Sequence, residues 1–348
     1  MQQAIDEQSL MPGADVLTGL SEEIGRYNET RPAEAGALFG RQMLFMGTYA
    51  VVVLFVLYLV VQNGAPDALQ WVLVGTAMSG WFIWDFALKP AREFQQTLRD
   101  RMLPMIFGFV ERVRYYHGSA PGFMTGMPGN ELVRRTRNVH RDTIAGRYEG
   151  LDFTMTETEL STGSGKSKET TFLGVIFHFR HETGFPGLLI ATKKPNAVSL
   201  FFRDFFDSSG LQTVTSGIIS VDEQHEFRTN NPQAATPIVQ GALAKALDYL
   251  ASVWPDGIVR IAMKNQDCYL LVPSKKDFFE LPGIRTPIDF DIHVRPMIRD
   301  LVTLLATARL VERIGAGGTE AGGETEAGGE TAAGGETADG PVRDGAQT

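Results

Sequence analysis

The string Gly163-Ser164-Gly165-Lys166-Ser167 is the stretch of this chain nearest in type to phosphate chemistry. A phosphate-binding loop requires Gly-x-x-x-x-Gly-Lys-Ser/Thr, so that backbone amides wrap the phosphate and the lysine reaches it. Here Leu160 stands where the first glycine belongs, and the following "ETTFLGVIFHF" reads as a strand rather than the helix whose N-terminal amides would cradle the anion. The string is therefore expected at a hairpin tip, with Lys166 and Lys168 in solvent. His178 and His181 are the only close pair among the six histidines. Three positions apart on a strand, they point to opposite faces and cannot share a metal without a bulge. Asp289, Asp291 and His293 bring carboxylates and an imidazole within five residues, a spacing that could serve a metal or an acid–base pair. A carboxylate at a helix start, Asp291 facing free amides, explains the cluster more simply. Cys268 is the sole cysteine and reads as a small buried hydrophobe in a strand. No Gly-x-Ser-x-Gly elbow is present. No catalytic, cofactor-binding or metal-ligating residue is assigned.

The elements around these residues follow from periodicity. From Arg141 the apolar period is two, with Tyr148, Leu151, Phe153 and Met155 against polar neighbours, and "TFLGVIFHF", "GLLIATKK" and "EFRTNN" read as further strands. A helix is expected from N-cap Thr236 and Pro237, burying Val239, Leu243, Leu247 and Leu250. After it, "GIVRIAMKNQDCYLLVP" reads as a hairpin turning at Asn265 to Asp267. A last helix over about 293–314 carries Ile298, Leu301, Leu305 and Leu310. Strands and helices in clusters, without regular alternation, indicate an antiparallel α+β domain.

Two apolar runs precede that domain. Met43 to Val61 holds no charge, and at 1.5 Å per residue its helix would cross about 28 Å, a hydrocarbon core. Ala68 to Leu88 holds a single charge, Asp85, one turn from Lys89. The connector "QNGAPD" is short and lacks Lys and Arg, so the pair reads as a transmembrane hairpin. Arg26, Arg31 and Arg41 before it, and Lys89, Arg92, Arg99 and Arg101 after it, put both termini in the cytoplasm. Trp81, Trp84, Lys89 and Arg92 are assigned to the inner interface and Trp71 to the outer one. Gly75, Thr76, Ser79 and Gly80 form small-xxx-small pairs for close helix packing, with the first helix as the favoured neighbour and a second copy of the chain as the minor one. The spans lack ionisable groups away from their boundary, which favours an anchor over a channel. The stripe Phe94, Leu98, Met102, Ile106, Val110 and Val113 extends the second helix into the cytosol, with Pro104 as a kink.

The resulting division is a cytosolic segment over 1–41 with a short amphipathic helix at "DVLTGLSEEIGRY", the hairpin over 42–89, a juxtamembrane helix over 90–118, the α+β domain over 119–314 and an acidic tail over 315–348. The tail holds seven acids and one arginine of a chain with net charge −9, which leaves about −3 on the body. A nearly balanced body argues against a nucleic-acid partner. The tail's Gly-Gly-Glu-Thr theme has no large apolar side chain and reads as disordered, either spacer or acidic bait for a basic partner. The patterns "RYEGLDFTMTETEL", "TFLGVIFHFR" and "TPIVQGALAKALDYLASVWPDGIVRIAMKNQDCYLLVP", together with the membrane hairpin before them, resemble the bacterial domain of unknown function 3137 family over roughly residues 90–313. The resemblance implies a bacterial inner-membrane protein with a cytoplasmic α+β domain, and it carries over no catalytic residue. The expected partners are the lipid bilayer and a protein or small ligand. The expected function is a membrane-anchored, non-catalytic binding or scaffold module, with a membrane-associated hydrolase as the alternative and a small oligomeric channel third.

Overall fold

The computed structural model describes residues 10–62, 66–195 and 210–320. Helix α1 (Ala14–Gln62) begins on the soluble domain and ends in the first apolar run without a break. The short amphipathic helix expected near its start is thus the first part of a 49-residue helix, carried through Pro32. That part buries Leu20 and Ile24. It is fastened by Asn28, which accepts from the Ile288 amide (2.9 Å) and donates to the Ile288 carbonyl (2.8 Å), and by Arg31 donating to the Ile284 carbonyl. Among the described residues α1 is the one helix long and apolar enough to cross a membrane. Much of its apolar part is uncovered, with Leu44 70% and Leu54 65% exposed.

Helix α2 (Pro66–Ile106) lies against α1. Tyr49 donates to the Thr76 carbonyl (2.6 Å) and meets the Ser79 hydroxyl at 3.0 Å, while Phe45 meets Phe86 edge-on. The turn expected between the two apolar runs falls in part on residues 63–65, outside the described residues. Leu98, Met102 and Ile106 turn into the domain core. The juxtamembrane helix expected to reach residue 118 stops at Ile106 instead, and Glu111–His117 is strand β1. Val113, Tyr115 and Tyr116 supply the β-branched and aromatic content that a strand favours.

Strands β2 (Arg137–Tyr148), β3 (Leu151–Thr162), β4 (Glu169–Lys193), β5 (Gln212–Val214), β6 (His225–Thr229) and β7 (Arg260–Pro273) complete a seven-stranded antiparallel sheet in the order β1-β2-β3-β4-β6-β5, with β7 also on β4. The 25-residue β4 is its spine. The first half pairs with β3 and β7, the second with β7 and β6. Gly-Ser-Gly-Lys-Ser sits at the β3–β4 tip in a short 3-10 turn, where Lys168 pairs with Glu159 at 2.6 Å. The hairpin expected at Asn265 to Asp267 is replaced by one continuous strand. Asn265 takes a left-handed φ of 54° opposite the bulges between Arg180 and Leu188, so β7 follows the bend of β4 and does not fold back.

Helices α3 (Ile219–Gln224), α4 (Pro232–Ile238), α5 (Ala244–Val253) and α6 (Arg295–Glu320) join α2 in the helical layer of the domain. The N-cap of α4 is Asn231, followed by Pro232, one turn before the expected Thr236. The Asn-Pro pair offers the same cap chemistry earlier, and a π turn over Val239–Leu243 carries the chain past Pro237 into α5. Asp289, not Asp291, caps the turn leading into α6 by accepting from the Ile292 amide; Asp291 pairs with Arg295. Helix α6 continues to Glu320, past the expected start of the tail at 315, and residues 321–348 lie outside the described residues. The main core joins the helices to one sheet face through Met155, Phe177, Phe179, Leu247, Leu301 and Leu305. A smaller core on the opposite face packs Met124, Met127, Leu132 and Val133 against Leu160 and Ile176.

Gly174 has φ 151°, and a Cβ there would meet the Val272 carbonyl oxygen at 2.1 Å. Gly165 also has positive φ, 56°, but faces open space. Chemical denaturation should show Gly174→Ala destabilised by about 2 kcal/mol or more, because backbone must move. Gly165→Ala should cost about 1 kcal/mol, the left-handed penalty alone.

Candidate functional site

The alternation of side chains along β1 to β4 divides two charged assemblies between the two faces of the sheet. The helix-facing side carries Tyr115 and His117 from β1, Asp142 from β2 and Glu157 from β3; the loop after β7 adds Asp277 and α2 adds Arg99. Arg99 donates from Nη1 to Asp142 Oδ2 (2.8 Å) and from Nη2 to Asp277 Oδ2 (3.1 Å). Asp142 is fully buried, and its Oδ1 accepts from the Tyr115 hydroxyl and lies 2.8 Å from His117 Nδ1. Asp277 Oδ1 accepts from the Phe279 amide, and Arg141 reaches Glu157 Oε1 at 3.4 Å. One oxygen of each of Asp142, Glu157 and Asp277 lies within 4.8 Å of the others.

Three carboxylates this close cannot all ionise beside one enclosed guanidinium. Burial, followed by repulsion from Asp277, pushes the Glu157 carboxyl up to about 8, so it holds a proton at neutral pH. Could the cluster hold a divalent cation? Such a cation needs free carboxylate oxygens. Every oxygen here except the buried Glu157 Oε2 already has a protein donor, and the guanidinium lies between Asp142 and Asp277. The donor set suits an ion-pair network tying α2 to the sheet, not a metal cage.

The opposite face is open where the segment carrying Met124 and Leu132 does not cover it. Arg114, Ala145, Thr154 and His178 stand in one cross-strand row. Arg147 and Asp152 form the next row, 3.9 Å apart, beside Arg180. Arg112 reaches the same place from a bulge in β1, with a left-handed φ of 52°. The result is a groove of about 600 Å³ lined by four arginines, with Asp152 its one carboxylate. His178 closes one side, stacked 4.8 Å from Phe123. Burial lowers its pKa against the opposing pull of Asp267, so at neutral pH the uncharged ring donates from Nε2 to Asp267 at 2.9 Å. Arginine stays charged at any working pH and grips phosphate or carboxylate with two parallel donors. The donors of such an arrangement are matched in charge and geometry to an anion.

Trp71, Trp81 and Trp84 are exposed on α2, as is Lys89; Arg92 is in α2 with its side chain outside the described residues. Thr76, Ser79 and Gly80 surround Tyr49 of α1, whereas a Cβ at Gly75 would meet open space among the described residues, and its carbonyl accepts from the Ser79 hydroxyl. His181 accepts from the Gly184 amide inside the β4 bulge, away from His178. Arg112 and Arg114 were legible only as basic residues of an expected juxtamembrane helix that could touch lipid headgroups, and neither the groove nor the buried acid cluster was singled out from sequence. The arginines sit on strands in "ERVRYYH", "GRYEG" and "HFRHE", but which positions become neighbours is set by register, and the bulges that fix it leave no local mark.

No family model matches this chain, and neither does any curated protein. Among solved structures the chain is similar to the mycobacterial trehalose monomycolate transport factor A, TtfA, at 9% identity and TM-score 0.27, over 56% of this chain and 88% of that one. A likeness at that level carries no argument about activity.

Folded, Glu157 keeps its proton up to about pH 8; unfolded, it loses it near 4.5. The unfolded state therefore binds fewer protons across that window, and stability falls as pH rises through it. Thermal unfolding in detergent should show this slope in the wild type. Glu157→Gln, neutral throughout, should flatten it and exceed the wild type at the alkaline end. Arg99→Met, which leaves Asp142 buried without its cation, should cost about 3 kcal/mol at neutral pH.

Proposed function

We propose that this protein is a membrane-anchored, cytosolic binding module that holds an anionic group, of the phosphate or carboxylate kind, in the arginine groove without transforming it. The observation that carries this reading is the convergence of Arg112, Arg114, Arg147 and Arg180 on one open groove whose lining has a single carboxylate. A volume near 600 Å³ suits a small ligand or the charged end of a larger one. Arg112 strengthens the case, because a non-glycine residue in left-handed backbone costs about 1 kcal/mol or more and such strain concentrates at binding sites.

In this reading α1 and α2 form the transmembrane hairpin of a bacterial inner-membrane protein akin to the 3137 family, with both termini cytoplasmic. The exposed Leu44, Leu54, Trp71 and Trp81 support it, since water would not tolerate so large an apolar surface on two adjoining helices. From Lys89 to Ile106, α2 rises about 25 Å, and β1 begins just beyond. The groove then faces free anions or a soluble partner rather than the headgroups of its own bilayer. Enzyme action is the second reading, favoured by the proton that Glu157 holds at neutral pH. It ranks lower because that oxygen is buried and its neighbours are committed to Arg99, Tyr115 and the Phe279 amide.

Calorimetric titration of the full chain in detergent with inorganic pyrophosphate should give saturable binding that weakens as salt rises. Replacing Arg114, Arg147 and Arg180 together by alanine should weaken it by about tenfold or more. Arg112→Gly should also weaken binding while leaving stability unchanged or higher, because the left-handed backbone strain is removed. Saturable binding that ignores all four arginines, or none at all, would overturn the groove. Reporters fused at either end should be shielded from the outside of intact cells; an accessible C-terminal reporter would refute the topology.

A further inference from the structure

Resting on the groove as the binding site, we infer that its ligand is a two-headed anion: a phosphate held by Arg112, Arg114 and Arg147 over β1 and β2, a second anionic group held by Arg180 on β4, and an uncharged, hydroxyl-bearing middle over Thr154 and Asp152.

The charge of the groove is unevenly placed. Register sets Ala145 and Arg147 of β2 opposite Thr154 and Asp152 of β3, and the pairing of Phe153 with Phe179 brings Arg180 of β4 beside Asp152. Arg114 stands across from Ala145, and Arg112 enters from the bulge close by. Three guanidinium groups thus belong to the β1–β2 side and one to β4, while β3 between them adds no cation to the lining. At the usual strand spacing Arg147 and Arg180 are rooted roughly 10 Å apart, and Arg114 and Arg180 roughly 14 Å. Arginine side chains are long enough to lean across such a gap, but Asp152 stands in it, 3.9 Å from Arg147. An anion placed midway would meet that carboxylate before it met Arg180. The positive potential therefore has two lobes, and one phosphate cannot satisfy both.

Each lobe fits a different head. Arg180 donates from Nη2 to Gln266 Oε1 (3.0 Å), an uncharged partner that positions the guanidinium without cancelling it. Asp267, its cross-strand neighbour on β7, is taken by His178. One guanidinium fork of this kind matches a carboxylate or a single phosphate face. The β1–β2 lobe, with three arginines, matches the higher charge and larger acceptor count of a phosphate dianion. The middle follows from the floor. A carboxylate there repels an unbroken run of charge, such as a polyphosphate chain, and accepts from hydroxyl groups; the Thr154 hydroxyl both donates and accepts. Hydroxyl-bearing carbons between two anionic heads pair with both residues, and a volume near 600 Å³ admits them.

The full chain in detergent is titrated calorimetrically with bisphosphates of terminal diols, from ethanediol to decanediol, whose charge stays constant while their reach grows. Affinity should rise about tenfold from ethanediol to hexanediol, which bridges the lobes when extended, and gain nothing further at decanediol. Arg180→Ala should remove that gain while changing ethanediol bisphosphate by less than about twofold, whereas Arg114→Ala should weaken both. A hexitol phosphorylated on its two terminal carbons should bind about threefold or more tighter than hexanediol bisphosphate, and Asp152→Ala should erase that advantage. Arg114, Asp152 and Arg180 are exposed, so thermal unfolding should match the wild type in each variant. A flat length profile, or an Arg180→Ala loss equal for short and long ligands, with arginine-dependent pyrophosphate binding intact, would overturn the two-headed ligand and leave the groove standing. Equal affinity for the hexitol and hexanediol compounds would overturn the hydroxyl-bearing middle. Binding of none of these anions, pyrophosphate included, would remove the groove and this inference together.

Discussion

Arg99 is the residue on which the architecture turns. It leaves α2 roughly 15 Å beyond the end of the second apolar run and enters a site with two carboxylates from separate parts of the domain, Asp142 on β2 and Asp277 after β7. A fully buried carboxylate cannot stay ionised without a cation, and the neighbouring glutamate shows the cost by keeping its proton instead. The helix that the membrane would fix is thereby fastened to both the near edge and the far side of the sheet. Leu98, Met102 and Ile106 add burial along the same helix, but apolar contacts tolerate sliding, whereas a guanidinium forked between two carboxylates sets the rotation of α2 about its axis.

The sheet converts that anchorage into a second charged surface. Along β1, β2 and β3 the residues that point to the helices are Tyr115, His117, Asp142 and Glu157; their alternates, Arg114, Ala145, Arg147 and Thr154, point away. One strand set thus presents acid inward, where an arginine meets it, and base outward, where Asp152 is the one carboxylate in the groove's lining. The 25-residue β4 links the two halves of the sheet, and its bulges at Arg180 to Leu188 place His178 and Arg180 at the margin of the groove just before the strand bends.

Much of the scaffold was legible in sequence. The alternation of Leu151, Phe153 and Met155 gave β3, although the run read as one strand from Gly146 to Leu160 is broken by the turn at Glu149 and Gly150 between β2 and β3, and the stripe Val239, Leu243, Leu247 and Leu250 is buried as its spacing indicates. Where the reading missed, two local signals competed. "ERVRYYH" fits a helical stripe through Val110 and Val113 and also a strand, and pairing with β2 decided for the strand. "NQD" is turn chemistry, yet Asn265 spends its left-handed preference on following a bulge in the partner strand. Thr236-Pro237 and Asn231-Pro232 are equivalent start signals, and the earlier one prevailed. The two charged assemblies were illegible for a different reason. Arg99, Asp142, Glu157 and Asp277 span most of the domain's sequence, so only the completed register brings them together.

Residue type then limits what each assembly can do. Arginine cannot give up a proton at any pH a cell reaches, so a groove built from it can orient charge but cannot act as acid or base. The one titratable ring at its margin, His178, is neutral, stacked on Phe123 and committed to Asp267. The group with a proton available near neutrality, Glu157, lies on the other face, with the thickness of the sheet between it and any anion in the groove. Catalysis would need those two properties in one place. The pleat separates them, and that separation is why the proposed reading favours retention of a ligand over its conversion.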